Sequence, residues 1–165
     1  MSEIIHITEI NFQMREVRLP EFSWHTSPRY RKILNSKNLV FDIRSLDPGK
    51  FSFPYHFHRA SEELFSIISG EATLRTPEGF QKVTAGDVIF FEEGPTSAHQ
   101  LYNHSDDPCV YLDIRVAAGI DIVEYPDTGK VAVLPSMEIL ERKTGMDYFT
   151  GEEDVARMWP QELIR

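Results

Sequence analysis

A single cysteine, Cys109, stands in a chain of 165 residues. One thiol rules out an internal disulfide and a thiolate zinc site, and a lone free thiol suits a reducing compartment. Positive charge is scarce too: 17 Lys and Arg face 26 Asp and Glu, for a formal charge of -9. Nucleic acid is gripped through its phosphates by clustered Lys and Arg, so this balance argues against such a partner. A polybasic membrane-surface role fails for the same reason. No apolar run approaches the roughly 18 residues that a membrane-spanning helix needs. Residues Met1–Glu9 carry Glu3 and His6 and lack an apolar core, so they do not read as a secretory signal. The expectation is a cytoplasmic protein with neither nucleic-acid nor membrane partners. Repeats and low-complexity stretches are missing as well. The length is close to that of one average domain, about 150 residues, and suffices to bury a core without staples.

What the chain does have is short apolar runs punctuated by turns. Leu39–Leu46 ends at Asp47-Pro48-Gly49. Phe51–Phe57, Glu63–Ile68, Ala72–Thr76, Phe80–Val83, Asp87–Phe91, Ala98–Asn103 and Cys109–Val116 follow. Gly70 marks a tight hairpin between the third and fourth runs, and Thr76-Pro77-Glu78-Gly79 a second turn. Runs recurring every 8–12 residues or so favour an all-β antiparallel sandwich or barrel over βαβ units. In Cys109–Val116, Val110, Leu112 and Ile114 share one face, and Tyr111, Asp113 and Arg115 the other. The polar face could meet solvent or a polar cavity.

The ends differ from the middle. Residues 1–38 read as an irregular arm, with a short helical turn near Tyr30–Leu34 and a local basic cluster of Arg29, Arg31 and Lys32 read as a solvated loop. Residues 117–165 read as an extension of the same domain. There, Thr150 and Glu153 resemble a capping box opening a short helix over Gly151–Met158, which Pro160 stops. Trp24 and Trp159 are expected to anchor the two ends onto a core of residues 39–116. Cys109 reads as a small buried hydrophobe.

Of six histidines, His6, His25 and His104 fit no ligand spacing. His56 and His58 lie two apart in a β-like run, so both rings project from one face. Glu63 follows five residues later, and His99 arrives on a separate run. If the sheet curls into a barrel, three imidazoles and one carboxylate converge inside it, a good ligand set for one divalent transition metal. Each residue alone has a blander reading: a solvent-facing His pair, a solvated Glu, a packed His. Their combination, each flanked by its own glycine turn, carries the assignment.

Gly49 … His56-Phe57-His58 … Glu63 … Gly70 resembles the first motif of the cupin superfamily, and Gly86, Gly94, His99 and Asn103 resemble its second motif. Two departures are visible: Glu92 stands where the pattern has proline, and four residues, Pro95–Ala98, separate Gly94 from His99. A weaker likeness links Asp121–Asp127 to a segment that follows the barrel in some bacterial cupins. The resemblance implies a double-stranded β-helix (jelly-roll) barrel with a metal near one open end, bound by His56, His58, Glu63 and His99. The metal could be Fe, Mn, Ni or Zn.

By alternation, Pro54 shares the side of the two histidines, and Phe65, Ile67, Leu101 and Asn103 share the sides of Glu63 and His99. With Tyr111 they are the candidate pocket lining, although plain barrel core explains Phe65, Ile67 and Leu101 as well. Such a site suits a small organic ligand with an oxygen donor. Two reactions are open: dioxygenase chemistry at a redox metal, or Lewis-acid isomerisation or hydrolysis. Glu92 and Glu93 are the candidate general bases, with surface acids as the plainer reading. A non-catalytic sensor module for a small molecule or metal is the competing class. Resemblance to paired cupin barrels implies a homodimer.

Overall fold

A computed structural model describes every residue except 1, 16, 29, 31–33, 118, 143, 144, 146, 149, 151–156, 158, 159 and 161–165. Thirteen strands follow one another: β1 (Gln13–Arg15), β2 (Trp24–Thr26), β3 (Leu39–Leu46), β4 (Phe57–His58), β5 (Glu63–Ser69), β6 (Glu71–Thr76), β7 (Gly79–Thr84), β8 (Val88–Phe91), β9 (Gln100–Tyr102), β10 (Cys109–Val116), β11 (Asp121–Tyr125), β12 (Lys130–Leu134) and β13 (Glu138–Glu141). They form a six-stranded sheet ordered β1-β2-β3-β10-β5-β8, a four-stranded sheet β13-β12-β11-β4 and a three-stranded sheet β7-β6-β9. All pairings are antiparallel. The chain is an all-β jelly-roll, as its turn spacing predicts. Among the described residues, no helix is long and apolar enough to cross a membrane.

Two regions depart from the reading by sequence. The N-terminal arm is not irregular throughout: β1 and β2 form a hairpin, and β2 docks on β3 through His25–Ser45 and Thr26–Arg44. Strands of three residues carry too little alternation to be seen in a sequence. The arm's helical turn leaves one trace among the described residues, Leu34 N–H donating to Tyr30 O. The other difference lies beyond residue 116, where the described chain adds three strands to the barrel wall, and β11 pairs directly with β4. The helix expected over Gly151–Met158, the basic cluster around Arg31 and the Trp159 anchor lie outside the described residues. Trp24 does anchor the arm, meeting Phe53 edge-on at 4.8 Å.

The main core lies between the six- and three-stranded sheets. Leu46, Phe65, Ile67, Phe91, Cys109 and Tyr111 come from the first; Ala72, Leu74, Val83 and Leu101 come from the second. Burying a side chain of this size contributes roughly 2 kcal/mol. In β10 the inward face is the polar one: Tyr111 and Asp113 are buried, while Val110, Leu112 and Ile114 are only half-buried. That choice places charge inside the barrel. Asp113 sits opposite Asp42 in the β10–β3 register, an unfavourable like-charge pair. Arg44 relieves it: its Nε donates to Asp113 at 2.8 Å, and its Nη2 lies 3.4 Å from Asp42.

Gly70, between β5 and β6, has φ +75°, and a Cβ there would sit 2.4 Å from Pro108 O. Gly49, with φ +72°, has open space around it. Gly70→Ala is therefore expected to destabilise the fold by more than about 2 kcal/mol, against about 1 kcal/mol for Gly49→Ala. Urea unfolding of the two variants checks the order; equal losses would mean that the Pro108 contact is irrelevant.

Candidate metal centre

The two motifs meet through their backbones. His56 N–H donates to His99 O at 3.2 Å, and His99 N–H donates back to His56 O at 2.8 Å. This reciprocal antiparallel pair sends both rings to one side, with centroids 4.7 Å apart. Gly94, at φ +98°, donates its N–H to His58 O at 2.8 Å and so ties the second loop to the strand carrying His58. The longer loop before His99 is taken up by a 3-10 turn over Pro95–Ser97, whose Ser97 hydroxyl donates to the carbonyls of Glu92 and Gly94. Glu63 opens β5 opposite Phe91 and Arg115, on the inward face.

His56, His58, Glu63 and His99 are all buried, none more than 7% exposed. Potential ligand atoms of His56, His58 and Glu63 lie within 4.8 Å of one another. Glu63 Oε2 is 3.6 Å from His58 Nε2 and 3.1 Å from His99 Nε2. The protons are placed by the opposite ring edges. His56 Nδ1 meets Pro54 O at 2.9 Å, His99 Nδ1 meets Ser97 O at 2.9 Å, and His58 Nδ1 meets Asp121 Oδ2 at 2.5 Å. Acceptors at every Nδ1 put the hydrogen there and leave each Nε2 with a bare lone pair. Glu63 Oε2 and His99 Nε2 have no hydrogen-bond partner although fully buried. An orphaned carboxylate oxygen beside unprotonated ring nitrogens is the donor set that a divalent metal satisfies, so the residues fit such an ion.

Electrostatics agree with neutral imidazoles around one anion. Burial, aided by the neighbouring His99 and His58, lowers the His56 pKa to about 3. Burial works to raise Glu63, but the neighbouring rings of His99, His56 and His58 outweigh it and hold the carboxyl well below its usual range. Asp121 is similarly lowered: burial opposes ionisation, and His58 and the Ala60 N–H overcome it. Asp113 goes the other way. Burial dominates, Arg44 opposes, Glu63 adds to it, and the pKa rises to about 7. The His99 ring is fixed by stacking on Phe91 at 3.6 Å and by the edge of Phe65 at 5.3 Å.

A cavity of about 360 Å³ opens over the cluster, walled by Trp24, Arg44, Phe53, Asp113, Arg115 and Tyr125 among others. Pro54 lines it, together with His56, His58 and Glu63. Phe65, Ile67, Leu101, Asn103 and Tyr111 do not: each is at most 2% exposed and packs in the core beneath. Alternation told the inward face correctly but not how far along the barrel axis the side chains fill it. Asn103 is a loop staple. Its amide donates to Leu46 O at 2.7 Å and Asp107 O at 2.8 Å, and its Oδ1 accepts from the Ser105 N–H and hydroxyl. Glu92 and Glu93 are exposed and absent from the cavity wall. Asp121, Arg44 and Trp24 were missed by sequence reasoning. The signal for Asp121 was its place at the head of an alternating strand, on the same face as Val123 and Tyr125.

A family model described as "Cupin domain" matches residues 43–115. Over those residues, less than half of the chain, the barrel is similar to a cupin domain. No curated protein matches the chain by sequence. Among solved structures, a protein of Acidithiobacillus ferrooxidans proposed as a sugar phosphate isomerase aligns with TM-score 0.74 and 20% identity, over 86% of this chain and 93% of its own. A sugar phosphate isomerase of Silicibacter pomeroyi aligns with TM-score 0.73 and 17% identity, over 88% and 98%. The polyketide cyclase RemF of Streptomyces resistomycificus aligns with TM-score 0.59 and 17% identity, over 93% and 95%. At these identities the likeness defines the fold, and a fold hosts many reactions.

Asn103→Ala should cost about 2–4 kcal/mol, because it strands buried carbonyls and an N–H, and it should leave metal stoichiometry unchanged. Denaturant unfolding together with elemental analysis checks both halves. A stable variant that has lost metal would put Asn103 at the site instead of in the scaffold.

Proposed function

We propose that this chain is a metal-dependent cupin that binds a small organic molecule by an oxygen donor and acts on it. The ligand set is His56, His58, Glu63 and His99. The observation that carries the reading is the pair of buried atoms Glu63 Oε2 and His99 Nε2, 3.1 Å apart and neither with a hydrogen bond, beneath an accessible cavity. A divalent metal held there supplies Lewis acidity toward a carbonyl or hydroxyl oxygen, and a redox-active one also supplies electron exchange with O₂.

The chain's own residues do the rest. His58 is aimed by Asp121, and His56 and His99 by the carbonyls of Pro54 and Ser97. Phe53, Trp24 and Tyr125 give the cavity apolar walls that exclude water from a bound ligand. Asp113 and Arg44 face the same space and lie outside the ligand set. A carboxyl next to the reacting space favours an enzyme over a sensor, since it offers a group for proton exchange that mere binding does not require.

Protein purified without chelator is expected to hold one divalent ion per chain by elemental analysis. His58→Ala and His99→Ala should each abolish that stoichiometry; full retention in both would refute the ligand set. Asp121→Ala should weaken the metal 10- to 100-fold or so in competition with a chromophoric chelator. Oxygen uptake on addition of candidate ligands separates the redox route from the Lewis-acid route.

A further inference from the structure

We infer that the cavity over the cluster opens into a second compartment that binds an oxyanion, a phosphate or carboxylate, carried by the same ligand. This orients the ligand of the metal site proposed above, but the anion compartment itself stands on other residues.

The second cavity, of about 1050 Å³, shares Val40, Asp42, Arg115, Leu134 and Met137 with the first, so the two adjoin. Its charges are unevenly engaged. The acids on its wall are occupied: Asp42 lies 3.4 Å from Arg44, and Asp121 takes His58 Nδ1 at 2.5 Å and the Ala60 N–H at 3.0 Å. Of the cations, Arg115 is paired with Asp121 and Lys37 is not. Lys37 is exposed and has no ion-pair partner among the described residues. Arg115 reaches Asp121 and Ser61 only at 3.5 Å, the outer limit of a hydrogen bond. The amides of Asn35 and Asn38 add neutral donors on the same wall. In a chain of formal charge -9, Asp42 and Asp121 on this concave wall are already paired, so the charge of Lys37 beside Arg115 is left over, and a small anion is drawn to it.

Backbone strain marks the same wall independently. Asn35 at φ +52° and Met137 at φ +59° are the two non-glycine residues with positive φ among those described. Both line this compartment. A left-handed backbone is tolerated by asparagine but strained at Met137, and strain of this kind concentrates at binding sites. A ligand with an oxygen-donor head over Glu63 and an anionic tail between Arg115 and Lys37 uses both compartments at once.

The test begins with chelator-treated protein, titrated with inorganic phosphate and separately with acetate while backbone amide resonances are followed. Saturable shifts at Asn38 and Arg115 with either anion are expected, and the anion that saturates names the group. Lys37→Gln should weaken that binding at least five-fold. Lys82→Gln, which removes the same charge from exposed β7, should not. Lys37 carries the decisive variant because it sits on an exposed loop, whereas Arg115→Gln also disturbs Asp121. No saturation by either anion, or equal weakening in Lys82→Gln, overturns the proposal. On metal-loaded protein, phosphoglycolate should bind at least ten-fold tighter than glycolate, with the gain lost in Lys37→Gln; equal affinities overturn the two-compartment ligand. If the protein holds no metal and glycolate fails to bind while the anion still saturates, the metal reading falls and the oxyanion compartment stands.

Discussion

Two hydrogen bonds between the main chains of His56 and His99 are the constraint on which the rest of the molecule depends. They join segments separated by five strands, β4 to β8, and they bring both rings to one side. Other features serve that junction. Gly94 accepts a backbone conformation closed to most residues in order to reach His58 O. Phe91 and Phe65 hold the His99 ring from two directions. Asp121 reaches across from a neighbouring strand to hold His58. A change in any of these moves a ring nitrogen, and ligand geometry tolerates little movement.

The interior is costly by design. Asp42, Glu63, Asp113 and Asp121 are all at most 7% exposed, and Arg44 is largely buried. Buried charges are tolerated when each finds a partner, and most do here. Arg44 spans two acids and also lies over the Phe53 ring at 4.7 Å. The exceptions, Glu63 Oε2 and His99 Nε2, gather at a single point. A barrel optimised for stability alone would fill that point with apolar side chains. Its polarity marks where function has displaced packing.

The middle of the chain was legible because its strands are long enough to alternate and its turns are marked by glycine and proline. The hairpin at Gly70 and the inward pairing of His56 with His58 both follow from period two. The candidate ligand residues were legible for a chemical reason: imidazoles and a carboxylate at fixed spacing have few other uses. The cavity wall was not. Whether Phe65 or Phe53 faces the open space depends on depth along the barrel axis, and a linear pattern carries no depth. Alternation in β10 showed two faces but could not say that the charged one turns inward, since that depends on Arg44, 69 residues away from Asp113. The arm's hairpin escaped because three-residue strands have no period to read.

The pairing of β4 with β11 has a consequence for how the chain is made. The strand bearing His58 is two residues long, too short to hold its shape unaided. Its neighbour, and the carboxylate that aims its ring, lie 63 residues further along the chain. On a ribosome the residues up to Glu63 therefore emerge long before the support for His58 exists. The barrel has to close around an unfinished wall, and the site becomes competent only when the last sheet arrives. Folding of this kind is governed by distant contacts and is slow.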